Sequence, residues 1–342
     1  MGATRVSSTP RLGVHMSVQS YGRKWPEVVR EALDDVRLAD EVGLSSVLFA
    51  EHHFVEDAWV PRPLTMAAAA AAVTTRLRVG SDIAIAPLVH PVTMAEDAAV
   101  VDAISGGRCV LGLGAGWRKE DFAGMGVDFR RRYSLFEENI TAVRRLLNGE
   151  ELSRAGGQYP MDRARLRVEP VQPGGPPIWV GATGEKGIRR AALLGDAWIM
   201  SPQVRVPELA AAKTLYDGAL EEAGKPMPAD RPLRREAFVA ETDKEAWQGF
   251  AAGLAHEYGI VYRSRHPDFP AGGSLADLQK WADGLVVVGS TETVRQALQD
   301  LRAALGTTDV LVRVHLPGID PARSRQSIRL LGELNRTTTS ET

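Results

Sequence analysis

The feature that most constrains the fold is a repeated alternation of short apolar runs with longer segments of helical period. The short runs are rich in β-branched residues and show little polar alternation, as expected for strands covered on both faces. They are Leu12–Val18, Ser46–Glu51, Leu77–Ala86, Cys109–Gly114, Pro177–Ala182, Ala197–Ser201, Arg234–Ala240 and Asp309–Leu316. Eight strand–helix units predict parallel pairing, and they favour a closed (β/α)8 TIM barrel over a doubly wound open sheet.

The segments between these strands contain residues that typically begin or end a helix. Pro26 opens the first predicted helix and Gly43 ends it. Glycines follow the ends of other helical segments and are predicted to cap them, namely Gly106, Gly149, Gly195, Gly224 and Gly306.

We expect one domain over residues 1–342, with one irregular segment. Residues 253–283, which follow the seventh predicted strand, are too long and too rich in Gly, Pro, His and aromatic residues for a simple loop. Such loops lie on the face where barrels keep their active sites, so we interpret this segment as an insertion that forms a lid or contacts substrate. The tail, residues 336–342, is expected to be frayed.

Composition excludes several functional classes. A net charge of −2 and a pI near 6.4 give no basic surface for nucleic acid or an anionic membrane. The sequence contains no uncharged apolar run of about 20 residues. The N-terminus has no signal-peptide h-region, and Val6 replaces the Ser or Thr of a myristoylation signal. With a single cysteine, the buried-type Cys109, the protein is expected to be cytoplasmic.

The alanine-rich run Met66–Ala72 lacks the bulky residues of a normal core helix. Small side chains let helix backbones approach closely, so this helix either packs on its twin in a homodimer or packs against its own barrel. Both alternatives are open from the sequence.

The second predicted strand ends in Glu51, His52 and His53. Successive side chains of a strand point to opposite faces, so the two histidines are not expected to share a metal ion. A lone histidine is usually structural, but two of them beside an acid at a strand end favour an acid/base role.

Two neighbouring strands suggest a ligand surface. Asp82 lies in an apolar strand, so it must either pair with a buried donor or sit in irregular backbone held for a ligand. Gly112, Gly114 and Gly116 match a dinucleotide fingerprint only weakly, but alternating glycines would let a planar ligand approach the backbone.

The fifth predicted strand leads into a helix through the turn at residues 182–187. Free N–H groups at that helix start, with the Thr183 hydroxyl, favour an anion such as a phosphate. Ser201, at the end of the next strand, is expected to close the same pocket.

In this order, the segments "FAEHHF", "IAPLVHPVTMAEDAAVVDAISGGRCVLGLGAGW" and "PIWVGATGEKGIRRAALLGDAWIMS" resemble the bacterial luciferase-like flavin-dependent oxidoreductases, over roughly Leu12 to Glu333. The resemblance implies a (β/α)8 barrel that binds reduced FMN, or alternatively the deazaflavin F420. It implies a cis peptide at Asp82–Ile83 and catalytic His52, with His53 beside it. The implied cofactor-binding residues are Ser81, Asp82, Ile83, Gly114, Ala115, Gly116, Thr183, Gly184, Gly187 and Ser201.

The resemblance also implies an activity and partners. The expected function is an FMNH2-dependent monooxygenase that uses O2, through a flavin C4a-hydroperoxide, to oxygenate a small organic substrate, with FMNH2 from a separate reductase. The alternative is an F420-dependent hydride transfer. Gly114 and Ala115 replace the arginine and cysteine of the luciferase motif, so Arg118 or Arg189 is expected to assist phosphate binding. A flavin-binding protein without catalysis and a metal-dependent hydrolase are weaker alternatives.

Overall fold

The computed structural model describes residues 9–339, so the expectations on the first residues of the chain, including Val6, lie outside the described part. Within this range the strands are β1 (Arg11–Met16), β2 (Ser46–Phe49), β3 (Arg78–Ile85), β4 (Cys109–Gly114), β5 (Leu152–Arg154), β6 (Met161–Ala164), β7 (Ile178–Gly181), β8 (Ala197–Ile199), β9 (Pro232–Val239), β10 (Val286–Gly289) and β11 (Asp309–Arg313). All eight predicted strands are present. The sequence interpretation missed β10 and the β5–β6 hairpin.

Nine of these strands form one parallel sheet in the order β10-β9-β11-β1-β2-β3-β4-β7-β8. The sheet curls until β8 meets β9, where Met200 N–H donates to Pro232 (2.9 Å) and Arg234 N–H donates to Met200 (3.1 Å). β10 pairs with the carboxyl half of β9, from Glu236 to Val239. The fold is therefore α/β with a curled, barrel-like parallel sheet, as the alternating pattern predicted.

The helices are α1 (Trp25–Glu41), α2 (Pro63–Ala72), α3 (Pro91–Ser105), α4 (Lys119–Gly124), α5 (Arg132–Leu147), α6 (Glu185–Leu194), α7 (Val206–Glu222), α8 (Asp243–His256), α9 (Leu275–Ala282), α10 (Thr291–Leu305) and α11 (Pro321–Thr339). Pro26 lies in the first turn of α1, as predicted. Gly106 and Gly306 end α3 and α10 in the left-handed conformation that glycine adopts without a Cβ penalty. Gly195 instead continues from α6 in extended backbone with φ −89°.

Apolar residues fill two layers around the sheet. The larger layer lies between strands and helices, where residues such as Val47, Val79 and Leu146 are fully buried. A smaller cluster inside the curl includes Leu48 and Trp179. Each such side chain stabilises the fold by roughly 1.5–3 kcal/mol. The strands are thus held rigidly from both sides, which fixes the positions of the loops at their carboxyl ends.

The predicted insertion, residues 253–283, is mostly helical. It contains the end of α8, a π-helical turn at Glu257–Val261 and all of α9. Its aromatic residues form a satellite core in which Tyr258 packs against Trp281 at a ring-centroid distance of 5.1 Å. An insertion that acts as a lid stays a prediction.

The alanine-rich helix α2 packs on its own sheet and on α3, with Ala67, Ala70 and Ala71 buried. Its remaining alanines are less buried, so the homodimer interpretation stays open. At the other end, α11 continues to Thr339, and residues 340–342 lie outside the described part, so a frayed tail stays a prediction. From residue 9 to 339, no helix is long and apolar enough to span a membrane.

Candidate active site

A cavity of about 430 Å3 opens where the strands of the curled sheet end. The carboxyl ends of β2, β3, β4, β7 and β8 all contribute to its lining. The predicted site residues in this lining are His52, Asp82, Ile83, Ala115, Gly116, Thr183, Gly187 and Ser201. The others, His53, Ser81, Gly114 and Gly184, lie beside or beneath it. His52 and Thr183, which the sequence analysis singled out separately, therefore line the same cavity.

His52 is set between two aromatic rings at the cavity wall. Its ring lies 4.4 Å from the Trp59 centroid and 6.2 Å from that of Trp117, edge-on to both. Burial lowers the pKa of His52 below its usual value, although the Asp121 carboxylate, 3.8 Å from Nδ1, opposes this. The imidazole is therefore neutral at pH 7. Nδ1 is buried from solvent and makes no hydrogen bond to a described residue, whereas Nε2 is not buried in this way.

His53 points away from the cavity and has a structural partner. Its Nε2 lies 2.7 Å from the Glu51 carboxylate, whose other oxygen accepts a 2.8 Å hydrogen bond from the Ile85 N–H at the end of β3. Arg118, which was expected to assist phosphate binding, instead donates to the His53 carbonyl and to Asp121. The Glu51–His53 pair thus ties the end of β2 to β3.

Asp82 has a buried partner and also lies in irregular backbone. Its carboxylate accepts a 2.8 Å hydrogen bond from Nδ1 of the fully buried His15 on β1. The Asp82–Ile83 peptide is cis, and the β3–β4 register shifts between Ser81 and Ala84. Burial, together with the charge of Arg234, lowers the pKa of His15 to about 4, so the pair is a neutral imidazole and a carboxylate.

The glycines of β4 lie very close to β3. A Cβ on Gly112 would lie 2.0 Å from the Ser81 carbonyl oxygen, and one on Gly114 would lie 1.8 Å from the Ile83 side chain. Both glycines therefore make room for irregular β3, and the approach of a planar ligand to this strand stays a prediction. The Ser81 hydroxyl donates to the Gly112 carbonyl and lies under the cavity. Past the strand end, Ala115, Gly116 and Trp117 reach the lining.

The predicted anion site lies at the start of α6. Thr183 and Gly187 line the cavity, and Gly184 is the N-cap residue without a side-chain cap for the free N–H groups. Arg189 does not line it, because its guanidinium pairs with Glu222 on the outside.

Two cations at this end were missed by the sequence interpretation, Arg132 and Arg190. Arg132 stacks on the rings of Phe129 and Tyr133, and its Nε is buried without a partner. Arg190 pairs with Glu137. The spacing of Gly187 and Arg190 is a signal that could have identified Arg190, since residues three apart share a helix face.

The outer rim comes from the predicted insertion and the β4 loop. The Arg265 guanidinium lies 4.6 Å from the Trp117 ring centroid and donates to Gln203 at 2.8 Å. Tyr262 packs beside the same ring at 6.2 Å. The rim thus combines aromatic faces with polar edges, as organic-ligand sites do. Over residues 9–339, no cluster of three or more His, Cys, Asp or Glu side chains is arranged to hold a metal ion.

Curated relatives share the sequence at low identity. A 4-hydroxyprotoasukamycin monooxygenase of Streptomyces nodosus subsp. asukaensis is 29% identical over 80% of this chain and 77% of its own. The oxygenase component of a flavin-dependent trigonelline monooxygenase of Acinetobacter baylyi is 27% identical over 69% and 66%. An uncharacterized protein, y4vJ of Sinorhizobium fredii, is 28% identical, and the match spans 51% of this chain and about half (49%) of that protein.

Solved structures share the fold. The oxygenating constituent of 3,6-diketocamphane monooxygenase from Pseudomonas putida, in complex with FMN, has a TM-score of 0.79 and 24% identity, over 95% of this chain and 97% of that one. An F420-dependent secondary alcohol dehydrogenase has a TM-score of 0.75 and 17% identity, over 96% and 99%.

A family model described as luciferase-like monooxygenase matches residues 6–308. The matched range includes β1 to β10 and every predicted site residue. This chain therefore belongs to the luciferase-like monooxygenase family, whose members are flavin-dependent oxidoreductases.

Proposed function

We propose that the protein is an FMNH2-dependent monooxygenase that transfers one oxygen atom of O2 to a small organic substrate. The observation that carries the proposal is that His52 and the anion site at Thr183 line the same cavity. A catalytic histidine at one end and a phosphate anchor at the other are what a reduced flavin requires from its protein.

The residues present fit the flavin. The uncapped start of α6 offers donors that an anion would satisfy. The Arg132 side chain lines the same cavity and adds a positive charge. Thr183, Gly187 and Arg190 would complete the phosphate site, and Ser201 closes it. Asp82, Ile83, Ala115 and Gly116 would contact the ring system. Ser81, Gly114 and Gly184 support these contacts from behind.

His52 is the proposed acid/base residue. Bound reduced flavin supplies the electrons that activate O2. His52, neutral at pH 7, exchanges a proton at Nε2, the ring nitrogen that is neither sealed nor hydrogen-bonded. Trp59 and Trp117 hold the ring edge-on and keep water from it. His53 acts through Glu51 as a positioning residue.

The proposed partners follow from this assignment. FMNH2 would come from a separate flavin reductase, as the trigonelline relative's description as an oxygenase component suggests. We propose that residues 1–342 act as one luciferase-like domain in the cytoplasm, and that the exposed face of α2 forms a homodimer.

An F420-dependent oxidoreductase is the second candidate. It is supported by the F420-dependent dehydrogenase among the structural neighbours. It is also supported by the two arginines at the anion site, Arg132 and Arg190. Anaerobic titration of the protein with FMNH2 and with F420H2, followed by admission of air, separates the two. Tighter binding of FMNH2 with oxygen uptake supports the monooxygenase. Tighter binding of F420H2 without oxygen uptake supports the alternative, and binding of neither overturns both.

A further inference from the structure

Two buried arginines of the barrel-like sheet donate several hydrogen bonds each. Arg235 on β9 donates hydrogen bonds to four backbone carbonyls, those of Ser201, Val204, Arg234 and Gly284. Arg313 on β11 pairs with Glu257 at 2.7 Å and also donates to Gln19 and Tyr21. Buried guanidinium groups are expected to be satisfied in this way.

Arg234 on β9 breaks that rule. Only 13% of its side chain is exposed, yet none of its side-chain nitrogens makes a hydrogen bond to any residue in the described range. The nearest carboxylate oxygen, on Glu236, lies 3.6 Å from Nη2, beyond hydrogen-bonding distance. Arg234 also differs from Arg235 and Arg313 in lining the cavity.

The open part of this guanidinium is Nη1. Nε and Nη2 are sealed from solvent, whereas Nη1 is neither sealed nor hydrogen-bonded. A nearly buried donor without an acceptor costs free energy, which a ligand oxygen in the cavity would recover. One open nitrogen suits one acceptor oxygen rather than the two of a carboxylate.

The charges near Arg234 indicate which kind of ligand oxygen its Nη1 would bind. The Glu236 carboxylate lies beside Arg234, and the Asp82 carboxylate lines the same cavity. A further full negative charge would be repelled there, whereas a neutral carbonyl would not. Tyr262 and Trp117 supply apolar wall around the same space.

We propose that Arg234 binds the carbonyl oxygen of the substrate, which is a ketone or quinone with an apolar body. This proposal rests on the proposed function, because it names the substrate class of the same cavity. The flavin ring is a second source of carbonyl oxygens, so the test must separate the two sources.

The test compares two probes that differ mainly at one group, cyclohexanone and methylenecyclohexane. Calorimetric titration of the full chain should show that wild type prefers the ketone by about tenfold or more, the effect of one charge-assisted hydrogen bond. Arg234→Met should abolish the preference, and Arg234→Lys should retain part of it. Arg189→Ala, on the outer surface, is the matched control and should leave the preference unchanged.

Three outcomes would overturn the proposal: no ketone preference in wild type, a preference that survives Arg234→Met, or a loss of FMNH2 affinity in Arg234→Met with the ketone preference intact. The last outcome would assign Arg234 to the flavin. Failure of the proposed function is distinct, because wild type would then bind neither FMNH2 nor F420H2 while still preferring the ketone.

Thermal melting separates binding from structure. Arg234→Met leaves the buried Glu236 carboxylate without the cation beside it, so this variant should melt lower than wild type. The double variant R234M/E236Q removes both charges if the single variant misfolds, and it should likewise lack the ketone preference. A lower melting temperature in R234M, restored by R234K without any ketone preference, would assign a structural role and overturn the proposal.

Discussion

At the scale of single residues, the acid/base chemistry of His52 depends on what its two ring nitrogens meet. Nδ1 faces Asp121 across 3.8 Å, and Nε2 is the nitrogen free for exchange. Burial lowers the pKa, and the Asp121 carboxylate raises it part of the way back. Burial thus favours the neutral imidazole of His52 relative to a solvent-exposed histidine.

Replacing His52 should therefore impair chemistry rather than cofactor binding. His52→Ala should lower turnover by roughly 10²–10⁴-fold, the usual contribution of one acid/base group, with reduced-flavin affinity unchanged. Asp121→Asn should lower the pKa of His52 further and shift the acid limb of the rate–pH profile to lower pH. Steady-state rates between pH 5 and 8 test both changes. Unaltered turnover in the alanine variant, with flavin bound, would show that the assignment is wrong.

Residue identities at the site were partly predictable. β2 ends at Phe49, so the strand alternation that was expected for His52 and His53 does not apply to them. His52 lines the cavity, whereas His53 pairs with Glu51. The partners of these residues come from elsewhere in the chain, such as His15 for Asp82 and Asp121 for His52. Residues that are far apart in the chain leave no local sequence pattern when they meet. For this reason the sequence did not identify Arg234 as a residue of the cavity.

At the scale of elements, β3 and β4 approach too closely for ordinary side chains. A Cβ on Gly112 would lie 2.0 Å from the Ser81 carbonyl oxygen, so Gly112→Ala should destabilise the protein by roughly 1–3 kcal/mol or more. Gly218 in α7 has nothing within 4 Å of its Cβ position, and Gly218→Ala should stabilise by roughly 0.5–1 kcal/mol. Urea unfolding measures both. Equal effects of the two variants would contradict this account of the glycines.

Helix α6 offers adjacent arginines with different surroundings. Arg190 lines the cavity at the anion site, and Arg189 pairs with Glu222 outside. Arg190→Ala should weaken binding of reduced flavin by roughly 10–100-fold, the range for a hydrogen bond to a charged group, and Arg189→Ala should not. Fluorescence titration of each variant checks this. A similar affinity in both variants would remove Arg190 from the phosphate site.

The elements that the sequence interpretation missed share a property. β10 is a four-residue run, "VVVG", and the β5 and β6 strands are three and four residues long. Runs this short cannot be told from loop or buried helix by periodicity. β2, β7 and β8 are equally short, but each was predicted, like the longer strands, from the apolar run and the turn signals around it.

At the scale of the whole molecule, charged networks divide between the two ends of the sheet. At the amino end, Arg11 pairs with Asp309 and Asp230, and Arg78 also pairs with Asp230, all between strand starts and a loop. At the carboxyl end the charged side chains surround the cavity, and the Arg234 guanidinium there makes no hydrogen bond within the described part of the chain. The alternating pattern could predict the curled sheet, but this division depends on contacts that form only after closure.

Acid sensitivity follows from the buried histidines at the carboxyl end. His15 faces Asp82, Arg234 and Arg313, and its pKa is lowered to about 4. Since the unfolded chain binds this proton near pH 6.5 and the folded protein only near 4, unfolding is favoured as pH falls between these values, by up to about 1.4 kcal/mol per pH unit. Urea unfolding at pH 7, 6 and 5 should show the decline. His15→Asn should flatten it, and a wild-type stability that is constant over this range would contradict a neutral, buried His15.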